Sequence, residues 1–154
     1  MLKRFAQWLG FVVLCNGVGA ASALVANEPA YYQQLARPAW APPPSVFGPV
    51  WTLLYTLMGT ATWLVWTRTA GTVRRRAMAV FAVQLAFNAL WTPVFFGLHA
   101  LGVSVAVILG VLALVVAMTW IYARASKLAA SLVVPLAAWV AFASALNIVI
   151  AMKN

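Results

Sequence analysis

Apolar residues in this chain fall into five long runs, at about residues 5–26, 46–66, 77–97, 101–122 and 128–152, separated by short polar or basic breaks. Each run reaches the roughly 20 residues that an α-helix needs to cross a bilayer at about 1.5 Å per residue. The pattern predicts an all-α membrane protein, a five-transmembrane-helix bundle, with residues 1–154 as one domain. The first run follows Lys3 and Arg4 and opens like a signal peptide. It continues to about Ala26, a length that predicts a retained first helix.

The break between the first two runs differs from the others. Residues 27–45 read as a lid, and the stretch Arg37 to Trp51, RPAWAPPPSVFGPVW, holds five prolines and two tryptophans. Proline fixes φ and removes a backbone donor, so this segment is stiff and poor in hydrogen-bond donors. A non-helical backbone near membrane depth persists only where protein covers it or where it lines a cavity. The lid therefore predicts a cavity beneath it. Pro49 falls in the first turn of the second helix, where a missing amide costs nothing. Pro93 predicts a kink near the end of the third, and the short link around His99 makes the third and fourth helices antiparallel neighbours.

Composition sharpens the class. The chain is 66% hydrophobic and only 7% charged, against about a quarter charged in a soluble domain. The net charge of +9 does not indicate nucleic acid, because the cations sit in the gaps between apolar runs and form no solvated face with interleaved aromatics. Lys3, Arg4, Arg68, Arg74, Arg75, Arg76, Arg124 and Lys127 fall on one side of the predicted bundle, and Arg37 and Lys153 on the other. By the positive-inside rule this places the N-terminus in the cytoplasm, and the lid, His99 and the C-terminus outside.

The titratable inventory excludes most catalysis. Glu28 is the only acid, His99 the only histidine and Cys15 the only cysteine. Paired-carboxylate chemistry, a metal site and an internal disulfide have no residues to build them, and no cofactor is required. No charge lies in the middle of a run, against ion-coupled transport.

What is left is a set of aromatic and amide side chains at helical spacing. Trp51, Tyr55, Met58 and Thr62 share a face of the second helix; Gln84, Asn88, Trp91 and Phe95 do so on the third, and Trp139, Ala143 and Asn147 on the fifth. Amides are costly in lipid, so Gln84, Asn88 and Asn147 should point inward. Trp51, Trp91 and Asn88 all fall in the outer half of their helices, beneath the lid. Trp8, Trp66 and Trp120 fit interfacial belts, whereas Trp40 belongs to the lid. Small residues at four-residue spacing, Gly17 and Ala21 in one row and Cys15, Gly19 and Ala23 in another, predict close helix contact in the first run.

Three segments carry a family resemblance: YQQLARPAWAPPPSVFGPVW at 32–51, QLAFNALWTPVFFGL at 84–98 and VPLAAWVAFASALN at 134–147. Together they resemble the tryptophan-rich sensory protein/translocator protein (TspO/MBR) family, also called peripheral benzodiazepine receptors, over nearly the whole chain. The resemblance implies a five-helix bundle, usually a homodimer, that binds porphyrins such as protoporphyrin IX and, in some members, cholesterol and benzodiazepine-site ligands. Family pocket positions carry over to Tyr32, Trp40, Pro42, Pro43, Trp51, Asn88, Trp91, Trp139 and Ala143; the helical stripe adds Asn147. Some members are associated with light-dependent porphyrin breakdown involving the equivalents of Trp51 and Trp139, so the alternatives to a porphyrin-binding protein are a photo-oxidative enzyme and a porphyrin or sterol transporter. The sterol pattern of the animal members needs a tyrosine in the last helix, which this chain lacks. A loose version, Val116, Tyr122 and Arg124, lies on the fourth. For a dimer contact, Ala82 and Ala86 on the third helix compete with Gly102, Ala106 and Gly110 on the fourth.

Overall fold

The computed structural model describes residues 1–25 and 29–154. Its elements are α1 (Leu2–Val25), α2 (Pro29–Gln34), α3 (Pro44–Arg68), α4 (Gly71–Thr92), a π-helical turn (Pro93–Gly97), α5 (Leu101–Ala125) and α6 (Lys127–Lys153). The predicted end of the first run at Ala26, together with Asn27 and Glu28, lies outside the described residues. The five apolar runs are the five long helices, each extended by a few residues beyond the hydrophobic boundary. The lid contains a short helix, α2, that its prolines and polar residues did not suggest.

The long helices form a ring in which α1 packs on α3, α3 on α6, α6 on α5 and α5 on α4. The ring closes between α4 and α1, its sparsest seam, and α5 against α6 is its most extensive. Four helices are long and apolar enough to cross a membrane: α1, α4 with its π turn, α5 and α6. The 25-residue α3 falls short of that hydropathy because it carries Trp51, Trp63, Trp66, Tyr55 and five threonines. The polarity of its threonines is satisfied within the helix. Thr52, Thr56, Thr60, Thr62 and Thr67 each donate to the carbonyl four residues earlier, at 2.8 to 3.0 Å, a local pairing that makes hydroxyls tolerable on a helix surrounded by apolar groups.

Glycine sets the α1–α3 approach. A Cβ on Gly59 would lie 2.9 Å from the Phe11 carbonyl oxygen, and one on Gly19 would lie 2.2 Å from the Tyr55 ring. The Cys15 and Gly19 row is thus a helix contact as predicted, and Ala23 continues it along a cavity wall. Gly17 and Ala21 instead face outward. Gly110 of α5 is occupied within the protomer by the Phe87 ring, 3.1 Å from the position of its missing Cβ.

Pro93 acts as more than a kink. Lacking an N–H, it leaves the Ala89 carbonyl without its helical donor, and Ser22 of α1 fills the gap with a 2.6 Å bond. The chain then widens into the π turn, closed by Leu98 N–H donating to Pro93 O at 2.8 Å. One residue is absorbed, and Phe95 and Phe96 are both brought to bear on the bundle. His99, at φ 53°, reverses the chain into α5.

Candidate functional site

Contacts within the lid and to the bundle hold it in place. Tyr31 of α2 stacks on His99, ring centroids 3.8 Å apart. Tyr32 donates to the Pro42 carbonyl at 3.2 Å and lies beneath Arg37, whose guanidinium is 4.7 Å from the ring centre. Burial pushes the Tyr32 hydroxyl pKa up from its ordinary value, and the Arg37 hydrogen bond and charge offset part of that rise. At the end of α6, Asn154 accepts from Ala36 N at 2.9 Å and donates to Ala36 O at 3.2 Å. Pro43 precedes α3 as its N-cap, and Pro44 opens the helix.

A cavity of about 290 Å³ lies at the lid end of the bundle between α1, α3 and the end of α4; no described lid residue lines it, but Tyr32 packs on two of its wall rings, Phe47 and Phe96. Trp51, Tyr55 and Phe47 of α3, Trp91 and Phe96 on the α4 side, and Asn16, Gly19, Ala20 and Ala23 of α1 form its walls, with Gly48, Thr52 and Thr92. The lining residues that are exposed are small: Ala20, Ala23, Gly48 and Thr52, on α1 and α3. The opening is therefore lateral, between two helices. Asn16 is tied back to Val12 O and the Thr56 hydroxyl, so the walls are aromatic and apolar with few free polar groups, the usual character of a small-molecule site.

A second, far smaller void of about 20 Å³ lies under the lid, lined by Tyr32, Trp91, Ala143, Asn147, Phe47 and Phe96 among others. Phe47, Trp91 and Phe96 belong to both and form the partition between them. The residues named from sequence therefore divide. Trp51 and Trp91 face the larger cavity, and Tyr32, Trp91, Ala143 and Asn147 the smaller void. Trp139 lines neither: Phe47 stands against it, edge to face at 6.0 Å, and its buried indole N–H has no acceptor. Trp40 is half-exposed and packs on Phe142. Pro42 contributes its carbonyl to Tyr32, and Asn88 is buried without lining either space, its amide nitrogen unpartnered.

Asn147 is the polar centre of the wall. Its Oδ1 accepts from the Trp91 indole N–H at 2.9 Å, and its Nδ2 donates at 3.0 Å to the Ser104 hydroxyl, whose own proton goes to Leu101 O at 2.7 Å. Three helices, α4, α5 and α6, are joined there, and the Trp91 ring is held with an orientation that leaves it on the cavity wall. Tyr122 is bonded to Thr62 at 2.9 Å and fully buried, so the loose sterol pattern on α5 loses its tyrosine to the core.

Phe47, Phe96 and Asn16 are among the lining residues that the sequence did not single out, and Gly19 was legible only as a helix contact. Phe47 stands one turn before Trp51, so extending the α3 stripe upward finds it. Phe96 is different, because it reaches the cavity only through the π turn, which straight helical spacing does not anticipate.

The profile of the TspO/MBR family matches residues 11–152. The chain belongs to the TspO/MBR family. Among similar proteins, the Tryptophan-rich protein TspO of Chlorobaculum tepidum is 37% identical over 92% of this chain and 91% of its own length. The Tryptophan-rich sensory protein of Cereibacter sphaeroides is 36% identical over 96% and 90%. The human Translocator protein is 38% identical over 76% and 70%. TspO/MBR membership and the apolar helices together make the chain an integral, multi-pass membrane protein.

Proposed function

We propose that the protein is a membrane receptor for a planar apolar tetrapyrrole of the protoporphyrin IX type, taken up laterally from the bilayer into the cavity beneath the lid. The observation that carries this reading is the convergence of Trp51, Trp91, Phe47 and Phe96 on one cavity opening between α1 and α3. At about 290 Å³ the space lies at the lower edge of small-molecule pockets, which run from about 300 to 1,000 Å³. A macrocycle needs the Phe47 and Phe96 partition to swing aside and join the smaller void, which brings Tyr32, Ala143, Asn147 and then Trp139 within reach. Arg37, held over Tyr32 at the lid, is the cation available to a propionate at the mouth.

In this reading α3 is the fifth membrane span, its internally paired threonines and its place between α1 and α6 standing in for hydropathy. The basic end of the bundle faces the cytoplasm and the lid faces outward. A homodimer would use the exposed Ala82 and Ala86 of α4, since Gly110 of the competing row already packs on Phe87. A photochemical reading rests on the same geometry: an indole such as Trp51, in contact with an excited pigment, is an electron donor, with oxygen as the final oxidant.

The test is quenching of tryptophan emission by protoporphyrin IX in detergent micelles. Trp51→Phe should weaken both affinity and quenching. Unchanged values in Trp51→Phe and Trp139→Phe would remove the pocket assignment. Illumination with and without oxygen separates the readings, since a pigment that bleaches no faster in the complex than in empty micelles leaves binding alone.

A further inference from the structure

The end of the bundle opposite the lid carries Lys3, Arg4, Arg68, Arg74, Arg75, Arg76, Arg124 and Lys127. No aspartate or glutamate is present among the described residues to balance them. Some of these cations are engaged locally: Arg74 donates to the Thr69 carbonyl and lies over Trp66, and Arg124 lies 3.7 Å over the Trp120 ring.

Arg4 and Arg68 are placed differently. They line a cavity of about 520 Å³ between the start of α1 and the end of α3, whose remaining walls include Phe5, Trp8, Leu64 and Trp63. Arg68 gives one N–H to Ser126 at 2.5 Å, which leaves most of the five guanidinium donors free. Trp8 already donates to Thr60 at 3.0 Å. Trp63 offers the cavity the face of its ring, since its indole N–H is buried. Two guanidinium groups thus share a cavity with apolar walls, at the level of a helix end where headgroups meet acyl chains.

We propose that this cavity is a binding site for an anionic glycerophospholipid, its phosphate held between Arg4 and Arg68, and an acyl chain lying along Phe5, Trp8, Trp63 and Leu64. Guanidinium groups match a phosphate with paired hydrogen bonds, and the desolvating aromatic walls strengthen them. A free phosphate would use the donors and leave the apolar walls wet, so the lining selects a lipid. The site is separate from the lid cavity and does not depend on what binds there.

Native mass spectrometry of the full-length protein in detergent, titrated with dioleoyl phosphatidylglycerol, dioleoyl phosphatidylcholine or glycerol 3-phosphate, tests this. Phosphatidylglycerol should be retained in preference to phosphatidylcholine, and glycerol 3-phosphate should not displace it. Taking roughly a tenfold loss for each arginine whose hydrogen bond to the phosphate is removed, the Arg4→Gln/Arg68→Gln variant should bind phosphatidylglycerol about 100-fold more weakly, while a Lys3→Gln/Arg75→Gln control loses far less. Equal losses in the two double variants would mean diffuse charge attraction and overturn the site. So would equal retention of both lipids, and displacement by glycerol 3-phosphate would assign the cavity to a soluble anion instead. Should the arginine variant fail to fold, the charge-keeping Arg4→Lys/Arg68→Lys variant decides: loss of the paired guanidinium hydrogen bonds predicts at least a tenfold weaker affinity, and an unchanged affinity refutes the proposal.

Discussion

The bond between Asn147 and Trp91 offers a quantitative check on the wall of the lid cavity. Replacing Asn147 by leucine keeps nearly the same shape and removes both polar atoms. Ser104 is left satisfied, because its hydroxyl also donates to Leu101 O at 2.7 Å. Trp91 is not: its indole N–H, in a residue only 8% exposed, loses the 2.9 Å acceptor. One orphaned buried donor costs about 1–3 kcal/mol, whereas interhelical hydrogen bonds in membrane proteins average about 0.6 and reach about 1.7 kcal/mol. Since no alternative acceptor for the indole is present, the upper part of that membrane range applies, and Asn147→Leu should cost about 1–2 kcal/mol. For a chain of this length that corresponds to a fall in Tm of roughly 2–8 °C. Trp91→Phe loses the donor and some volume, but leaves Asn147 paired with Ser104. In the double variant Trp91→Phe/Asn147→Leu no group is orphaned, so its loss should fall short of the sum of the singles by about 1 kcal/mol or more. Thermal unfolding followed by intrinsic fluorescence or circular dichroism in one detergent gives all four corners of the cycle. Additivity to within about 0.5 kcal/mol would refute the hydrogen-bonded arrangement.

Other substitutions test other parts. Gly19→Ala places a methyl 2.2 Å from the Tyr55 ring and should lower stability by about 1–3 kcal/mol; Gly17→Ala, with open space around it, should be neutral or stabilising by up to about 1 kcal/mol, both read from Tm. Gln84 is fully buried with both ends of its amide unpartnered, so Gln84→Leu should leave Tm unchanged or raise it, by up to about 3 kcal/mol of recovered desolvation; a clear loss would mean that the amide has a polar partner such as an ordered water. Asn154→Ala removes the two bonds to Ala36 and should raise the hydrogen-exchange rate of the Ala36 amide by roughly tenfold, the equivalent of about 1.4 kcal/mol, with little change in the rest of α6.

Much of this architecture was legible in the apolar runs, because a membrane requires long unbroken apolar helices and the chain interrupts them only at turns. The buried stripe of α4, Gln84, Asn88, Trp91 and Phe95, followed directly from helical spacing, and all four residues are buried. Spacing was less informative where the helix departs from 3.6 residues per turn. The π turn at Pro93–Gly97 moves Phe96 onto the cavity wall, and the Ser22 bond to Ala89 that compensates Pro93 joins residues 67 positions apart. Hydropathy alone leaves α3 short of a span, since its threonines count as polar although their hydroxyls are paired with carbonyls of the same helix. Trp139 shows a further limit: its face was legible, but the Phe47 ring that separates it from Trp51 and Trp91 comes from the lid end of another helix.

The central claim is that a planar tetrapyrrole lies against Trp51 and Trp91 beneath the lid. Fluorine NMR of protein labelled with 5-fluorotryptophan, its resonances assigned by single Trp→Phe replacements, measures this directly on addition of protoporphyrin IX. The ring current of a stacked macrocycle should shift the Trp51 and Trp91 signals, with Trp139 following as Phe47 swings aside, and leave Trp8 and Trp120 at the periphery in place. Shifts confined to Trp8, Trp120 or other peripheral indoles, with Trp51 and Trp91 unmoved at saturation, would contradict the account.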